Sequence, residues 1–309
     1  MSQTQLRSSV LPRLRASSGF ALSIPQTILR GILHLLPTRI KSFLYDLAAR
    51  TSSTSGHQLY HNIFRLPFGL VLKTSQGPSP VEASALRLIA SLRGINTPVL
   101  IDSVSTAHKT FLLTTWVAGD CCSDIWDDLT PLDKSTIVEQ LRELLRAMRE
   151  QTATLSHPIC NASGSAIEDP RVPWLHKAPR VFSSCREFLE EVWIGLDFPR
   201  NRDTLRPLVR PLIDRIDIPI VFCHGDLLPK NVILPGGLEK WRQGRSTVCL
   251  IDWECAGWMP LSWEALKATW LSLDLDDEWL RMMKEVFQEC SAELDADWQW
   301  RSRSRIAIV

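Results

Sequence analysis

Asp226, Asn231 and Asp252 place three oxygen-bearing side chains within one short stretch of this 309-residue chain. Two apolar runs, residues 232–234 and 248–251, read as strands joined by a loop that contains Gly236-Gly237. Asp226 and Asn231 stand just before the first run, and Asp252 ends the second. A hairpin built this way converges all three side chains at one end. Hard oxygen ligands of this kind suit magnesium held together with phosphate groups. A single Asp after a strand is usually a turn or cap residue. What sets these three apart is their order, each at a strand edge.

An Asp followed five positions later by an Asn also matches the catalytic loop of protein kinases, where the Asp takes the acceptor's proton and the Asn holds metal. The wider stretch resembles a relative of those enzymes. His224-Gly225-Asp226-Leu227 with Pro229 and Asn231, followed by Ile251-Asp252-Trp253-Glu254, is similar to the aminoglycoside phosphotransferase and choline kinase-like family. The continuation Ala256-Gly257-Trp258-Met259-Pro260 with Trp263-Glu264 looks most like its fungal branch. The resemblance extends from about residue 58 to the C-terminus and is most specific over 224–264. Two departures are visible: Leu228 stands where the family often has a second histidine, and Lys230 where a small residue is common. Neither removes a metal ligand or base.

The resemblance implies ATP-dependent transfer of the γ-phosphoryl group to a hydroxyl of a small molecule, with ATP and Mg2+ as cofactors. It gives Asp226 the task of orienting the acceptor hydroxyl and taking its proton. Asn231 and Asp252 would hold magnesium, and Lys73, braced by Glu82, would hold the phosphates. Residues 115–119 would form the hinge between lobes, with Trp116 and Val117 at the adenine. Trp116 either packs on the base or faces the core. Readings from other classes are a catalytically silent kinase-like binding protein and a protein kinase. The intact Asp226, Asn231 and Asp252 argue against the first, although the absence of a glycine-rich phosphate loop favours it. Against the second, residues 252–260 carry no activation-loop signature.

The elements that must position these residues follow from hydrophobic pattern. Strands are expected at 63–66 and 70–73 around Pro67-Phe68-Gly69, with Lys73 closing the second and Glu82 opening a helix over 81–92. A further strand pair is expected at 98–104 and 110–117. Residues 51–57 read as a loop with one glycine, either covering phosphates or linking elements. Helices are expected at 134–152, 185–194, 204–216, 263–273 and 278–290. Between them, 156–179 is a long excursion that either shapes the acceptor pocket or lies on the surface. The acids Asp274, Asp276, Asp277 and Glu278 either face a polycationic acceptor or open a helix. The resulting fold class is α+β, a two-lobed protein kinase-like fold with a small antiparallel-sheet lobe and a larger, mainly helical lobe. The units are an N-terminal segment 1–50, a nucleotide-binding lobe 51–117 and a catalytic lobe 118–309.

Residues 1–50 have a separate character, with Arg7, Arg13, Arg15, Arg30, Arg39, Lys41 and Arg50 against the single acid Asp46. An amphipathic apolar pattern runs from Ile28 to Leu44 with a break near Pro37. The segment fits a mitochondrial transit peptide, a helix that touches a membrane surface, or a helix packed on the body. No run approaches the ~20 apolar residues of a spanning helix. A net charge of +1 argues against a general nucleic-acid binder. The eight cysteines show no CxxC pair, which points to reduced thiols and a cytoplasmic or mitochondrial setting.

Overall fold

A computed structural model of the chain describes residues 21–154, 156–172, 179–195, 199–272 and 274–304. Arg7, Arg13 and Arg15, and residues 173–178 of the expected excursion, lie outside the described residues. Period-two alternation of apolar residues builds a five-stranded antiparallel sheet. Its strands are β1 (Gln58–Tyr60), β2 (Ile63–Leu66), β3 (Leu70–Gln76), β4 (Leu100–Ser105) and β5 (Lys109–Thr115), in the order β1-β2-β3-β5-β4. One face carries Phe64, Leu70, Leu72, Phe111 and Leu113. The other carries Ile63, Val71, Lys73, Leu112 and Thr114, which look into a cleft.

Two helices cover the first face. They are α1 (Ile24–Leu35) and α2 (Thr38–Thr54), separated at Leu36-Pro37. Leu33, Tyr45 and Ala49 are buried in one cluster with Phe64, Leu72 and Phe111. Polar ties fix the register: Tyr45 Oη donates to Asp102 Oδ2 at 2.5 Å, and Lys41 Nζ to Asp102 Oδ1 at 2.9 Å. At the other end, Gln26 Nε2 donates to the carbonyl of Phe68 at 2.9 Å in the β2–β3 turn. That turn needs holding, because Phe68 sits at φ 62, an unfavourable region for a bulky side chain.

The boundary expected between residues 50 and 51 therefore falls inside a helix. Residues 51–54 continue α2 instead of opening a loop. Thr54 Oγ1 donates locally to the Thr51 carbonyl at 3.0 Å, and Ser52 Oγ reaches the Arg65 carbonyl of β2 at 3.0 Å. Gly56, at φ 75, follows the helix end.

Beyond α3 (Val81–Ile89) and the sheet, the chain crosses into the larger lobe through β6 (Gly119–Cys121). The long α4 (Pro131–Thr152) is its central helix, with Ile137, Leu141, Leu144, Leu145 and Met148 buried. Around it lie β7 (Cys160–Asn161), α5 (Cys185–Ile194), α6 (Pro199–Ile213), β8 (Ile220–Cys223), β9 (Val232–Pro235), α7 (Leu238–Arg242), β10 (Cys249–Leu250), β11 (Gly257–Pro260), α8 (Trp263–Thr269), α9 (Glu278–Val286) and α10 (Ser291–Ser304). The expected hairpin is β9–β10, antiparallel with Leu250 opposite Val232, and β6 joins it on the far side. A second small sheet runs β7-β11-β8. The arrangement is the α+β fold expected, a sheet lobe beside a mainly helical one.

The sequence pattern gives no sign of α10. Its inward face includes the buried Asp297 and Glu293, so no clean apolar stripe appears. Asp297 accepts from Trp193 Nε1 at 2.8 Å and from Arg301 Nε at 3.0 Å, and it also pairs with Arg171. Arg171 and Asp169, which is paired with Lys267 at 2.7 Å, tie residues 169–171 of the excursion to α8 and α10. This part of the excursion is anchored rather than loose.

The dependence of the sheet on α2 predicts a graded loss. Tyr45→Phe removes one bond to a carboxylate and should cost about 2 kcal/mol. Tyr45→Ala also removes the ring packed 5.6 Å from Phe111 and should cost about 3–5 kcal/mol. Equilibrium urea denaturation of both variants measures the difference, and equal losses would exclude a packing role for the ring.

Candidate active site

Lys73 lies in β3, and alternation points its side chain into the cleft, opposite Leu112 on β5 and Ile63 on β2. Glu82 lies in the first turn of α3, and Lys73 Nζ meets its Oε2 at 2.9 Å. From the other lobe, Asp252 Oδ1 also accepts from Lys73 Nζ, and Glu254 Oε2 lies 2.9 Å away. Burial disfavours the Lys73 ammonium, but the three carboxylates outweigh it and hold the pKa above its ordinary value. Burial raises Glu82 above the usual carboxylate range, and Lys73 works against that rise.

Asp252 ends the β10 run at φ 65, ψ 66, a left-handed conformation that Asp tolerates better than most residues. The following 3-10 turn, Trp253–Cys255, packs against α3. Glu254 and Glu82 are thereby brought to the same ammonium from opposite sides of the interlobe boundary.

Asp226 and Asn231 are joined directly. Asn231 Nδ2 donates to both the Asp226 carbonyl and Asp226 Oδ2, each at 2.8 Å. Both amide hydrogens are thus used, and the amide oxygen is the atom left for a cation. Lys230 Nζ lies 3.2 Å from Asp226 Oδ2. Partial burial works against the Lys230 ammonium, and Asp226 more than offsets it. The oxygen atoms of Asp252 and Asn231 form a donor set that fits magnesium. Glu82, Asp252 and Glu254 also bring one carboxylate oxygen each within 4.8 Å of one another, around the position of Lys73 Nζ.

Two buried residues brace this loop. The Asp226 N–H donates to His224 Nδ1 at 3.2 Å, which places the imidazole proton on Nε2, where it is donated to the Ile251 carbonyl at 2.8 Å. His224 thus links the Asp226 loop to the residue before Asp252. Glu264 of α8 accepts the N–H groups of His224 at 2.6 Å and Gly225 at 3.2 Å. Burial raises Glu264 above the usual carboxylate range, with His224 the largest opposing influence. Gly225 sits at φ 80, and a Cβ there would come within 2.3 Å of the Cys255 carbonyl oxygen.

The cleft encloses about 500 Å³ and is lined by Lys73, Glu82, Trp116, Val117, Asn231 and Asp252 among others. Asp226 is not among its lining residues and reaches it through Asn231 and Lys230. Trp116 lines the cleft with the Arg65 guanidinium 4.9 Å from its ring centre, and its N–H donates to the Gly69 carbonyl at 2.8 Å. Val117 packs with Ile233 and Cys249 into an apolar wall. Residues 51–57 do not line the cleft; Leu59, Tyr60, Asn62 and Ile63 of the β1–β2 hairpin do.

Glu254 and His224 carry roles that sequence spacing did not assign. Glu254 had only one signal, its position two residues after Asp252. The acidic run opens a helix, with Asp277 accepting from the Leu280 N–H at 3.1 Å and Glu278 pairing with Lys134 at 2.6 Å, and the same two acids line a hollow beside the cleft.

The profile of the phosphotransferase enzyme family matches residues 70–301. Ethanolamine kinase 2 of Mus musculus is 31% identical over 124 residues, which cover 39% of this chain and 29% of that protein. An aminoglycoside phosphotransferase from Streptomyces rimosus, solved in complex with ADP and streptomycin, superposes with a TM-score of 0.40 at 16% identity. That overlap covers 87% of this chain and 92% of the other.

The contact at Gly225 predicts the behaviour of two alanine variants. Gly225→Ala meets both a left-handed backbone and a carbonyl oxygen, and should cost at least about 2 kcal/mol. Gly56→Ala, with open space around it, should cost about 1 kcal/mol from backbone strain alone. Cys255→Ala should not rescue Gly225→Ala, because the obstacle is main chain. Thermal melting of the single and double variants checks this.

Proposed function

The chain belongs to the phosphotransferase enzyme family, and from that premise we propose that it transfers the γ-phosphoryl group of ATP to a hydroxyl of a small molecule. The observation that carries this reading is the placement of Lys73, Glu82, Asn231 and Asp252 around one cleft, with Asp226 bonded to Asn231. The relative at 31% identity, named an ethanolamine kinase, supports the same class. The stretch 256–264 supports placement in the fungal-type branch.

Phosphoryl transfer asks the protein mainly for alignment and charge neutralisation. The apolar wall of Val117 and Ile233 would receive the adenine, beside Trp116. Lys73 would turn its ammonium to phosphate oxygens while Glu82 holds its stem in place. Asp252 and the Asn231 amide oxygen would hold magnesium, which supplies positive charge to the phosphates. Asp226 would orient the acceptor hydroxyl and take its proton. The Lys230 ammonium, 3.2 Å from Asp226 Oδ2, would keep that carboxylate directed.

The acceptor would enter from a second hollow of about 300 Å³ that shares Ser123 with the nucleotide cleft. Its walls include Trp126, Trp279, the acids Asp277 and Glu278, and Pro229, the last on the loop that carries Asp226. The Lys134 ammonium already lies 4.6 Å from the Trp126 ring centre and pairs with Glu278, while Asp277 caps α9. The indole faces of the hollow suit a ring-bearing alcohol.

Asp226 and Asp252 should fail differently. Asp252→Asn should weaken magnesium-dependent nucleotide binding and turnover together. Asp226→Asn should leave nucleotide binding intact while turnover falls roughly 10²–10⁴-fold, the usual range for a general base. That corresponds to about 3–5 kcal/mol of transition-state stabilisation. Calorimetry with magnesium and ATP, and ATP consumption across a panel of hydroxyl compounds, measure both. Wild-type turnover in Asp226→Asn would remove its catalytic assignment. Unchanged magnesium dependence in Asp252→Asn would remove the metal assignment.

A further inference from the structure

Sixteen large apolar side chains are exposed among the described residues, and eight of them fall between Ile24 and Leu47. On α1 they are Ile24, Ile28, Ile32 and Leu35, and on α2 Ile40, Phe43, Leu44 and Leu47. At 100° per residue each set forms one stripe along its helix. Other faces of the same helices are used by the small lobe: Leu29 and Leu33 of α1, Leu36 just after it, and Tyr45 and Ala49 of α2 pack on the sheet. Both helices therefore turn a second apolar face away from the sheet. Exposure reaches 78% at Ile24, 83% at Leu35 and 67% at Phe43. A cluster of this kind on the surface needs a partner.

We infer that this outer face of α1 and α2 is a docking surface for an anionic lipid bilayer. Charge selects the occupant. Arg30 and His34 of α1 are exposed, and the exposed Arg39 and Arg50 flank the stripe on α2. The only acid on the two helices, Asp46, is paired with Lys109 at 2.6 Å. Residues 1–20 add three arginines and no acid. A second copy of the chain is a poorer fit, because a two-fold contact would set each cationic rim against its own copy. An acidic headgroup layer offers the complementary charge, and its acyl boundary accepts the stripes.

The mode is lying on the surface. α1 has 12 residues and is about 18 Å long at 1.5 Å per residue. No helix among the described residues is long and apolar enough to cross a membrane. Since the helices cover one face of the sheet and Lys73 points from the other, a docked molecule keeps its cleft open to solvent. The inference stands on exposure and charge alone and does not depend on the proposed phosphotransfer.

Flotation of the full chain with phosphatidylcholine vesicles, with and without phosphatidylserine, tests it. The chain should float only with the phosphatidylserine vesicles, and added salt should weaken binding. Each of Arg30→Ala, Arg39→Ala and Arg50→Ala should weaken binding roughly fivefold. Ile28→Glu combined with Phe43→Glu should weaken it by about tenfold or more. Melting curves confirm that these variants remain folded, while the lipid and salt comparison needs only the wild-type chain. Failure of the wild-type chain to float would overturn the inference, as would equal binding to both vesicle types. A concentration-dependent dimer dissociated by the Ile28/Phe43 double substitution would assign the face to a second copy instead.

Discussion

Lys73 carries one positive charge to a point where Glu82, Asp252 and Glu254 bring three negative ones. These groups come from a strand, from a helix of the same lobe, and from a turn of the other lobe. Taking charges out of water is costly unless they are paired. Without the ammonium, three carboxylates within 4.8 Å of one another would repel. The junction of the lobes is therefore organised around a single side chain. The cluster also keeps a formal excess of negative charge, so a divalent cation entering it would meet attraction. Such an arrangement is a poor device for stability alone, where a well-packed apolar contact would do as well. It is a reasonable one for a cleft proposed to receive metal and phosphate.

Precision at the other half of the site comes from the main chain. Asp226 and Asp252 lie on separate segments, yet His224 bonds to the backbone next to each of them. Its tautomer is fixed by those two bonds, so its ring orientation is fixed as well. Glu264 holds the same loop from below by taking two N–H groups that would otherwise be buried and unpaired. Gly225 lets the loop pass against the Cys255 carbonyl, where any side chain would collide. The Asp226 loop and the Asp252 turn are thus tied together, and their separation is set by backbone contacts.

How much of this is legible in the sequence differs by residue. The strand edges around Asp226, Asn231 and Asp252 follow from apolar runs and polar punctuation, and the hairpin forms as expected. Lys73 and Glu82 are visible from strand-then-helix order plus the family resemblance, since a lysine at a strand end is usually just solvated. Glu254 is harder to see, because its part depends on α3 docking against the 253–255 turn, a contact between distant segments. Residues 51–54 mislead because Ser and Thr signal a loop, whereas here the Thr54 hydroxyl bonds back into α2 and the Ser52 hydroxyl reaches the Arg65 carbonyl of β2. The acidic run 274–278 serves both of its expected readings: Asp277 caps α9 and Glu278 pairs with a lysine 144 residues earlier in the chain, and both also line the hollow beside the cleft.

The five-stranded sheet connects these parts through the simplest rule in its sequence. Leu70 and Leu72 point to α1 and α2, while Val71 and Lys73, between and after them, point to the cleft. The same strand cannot shift its register to suit one face without moving the other, because a one-residue slip exchanges the two faces entirely. The N-terminal helices thus pin the position of Lys73 from behind, although they carry none of the groups proposed for chemistry. That coupling is why the boundary at residue 50, drawn from charge alone, does not divide the folded molecule. A change of composition marks where a surface changes its solvent or partner, whereas a domain boundary requires that few contacts cross it. At α2, Tyr45 and Lys41 both reach Asp102 across that line, and the helix itself runs through it.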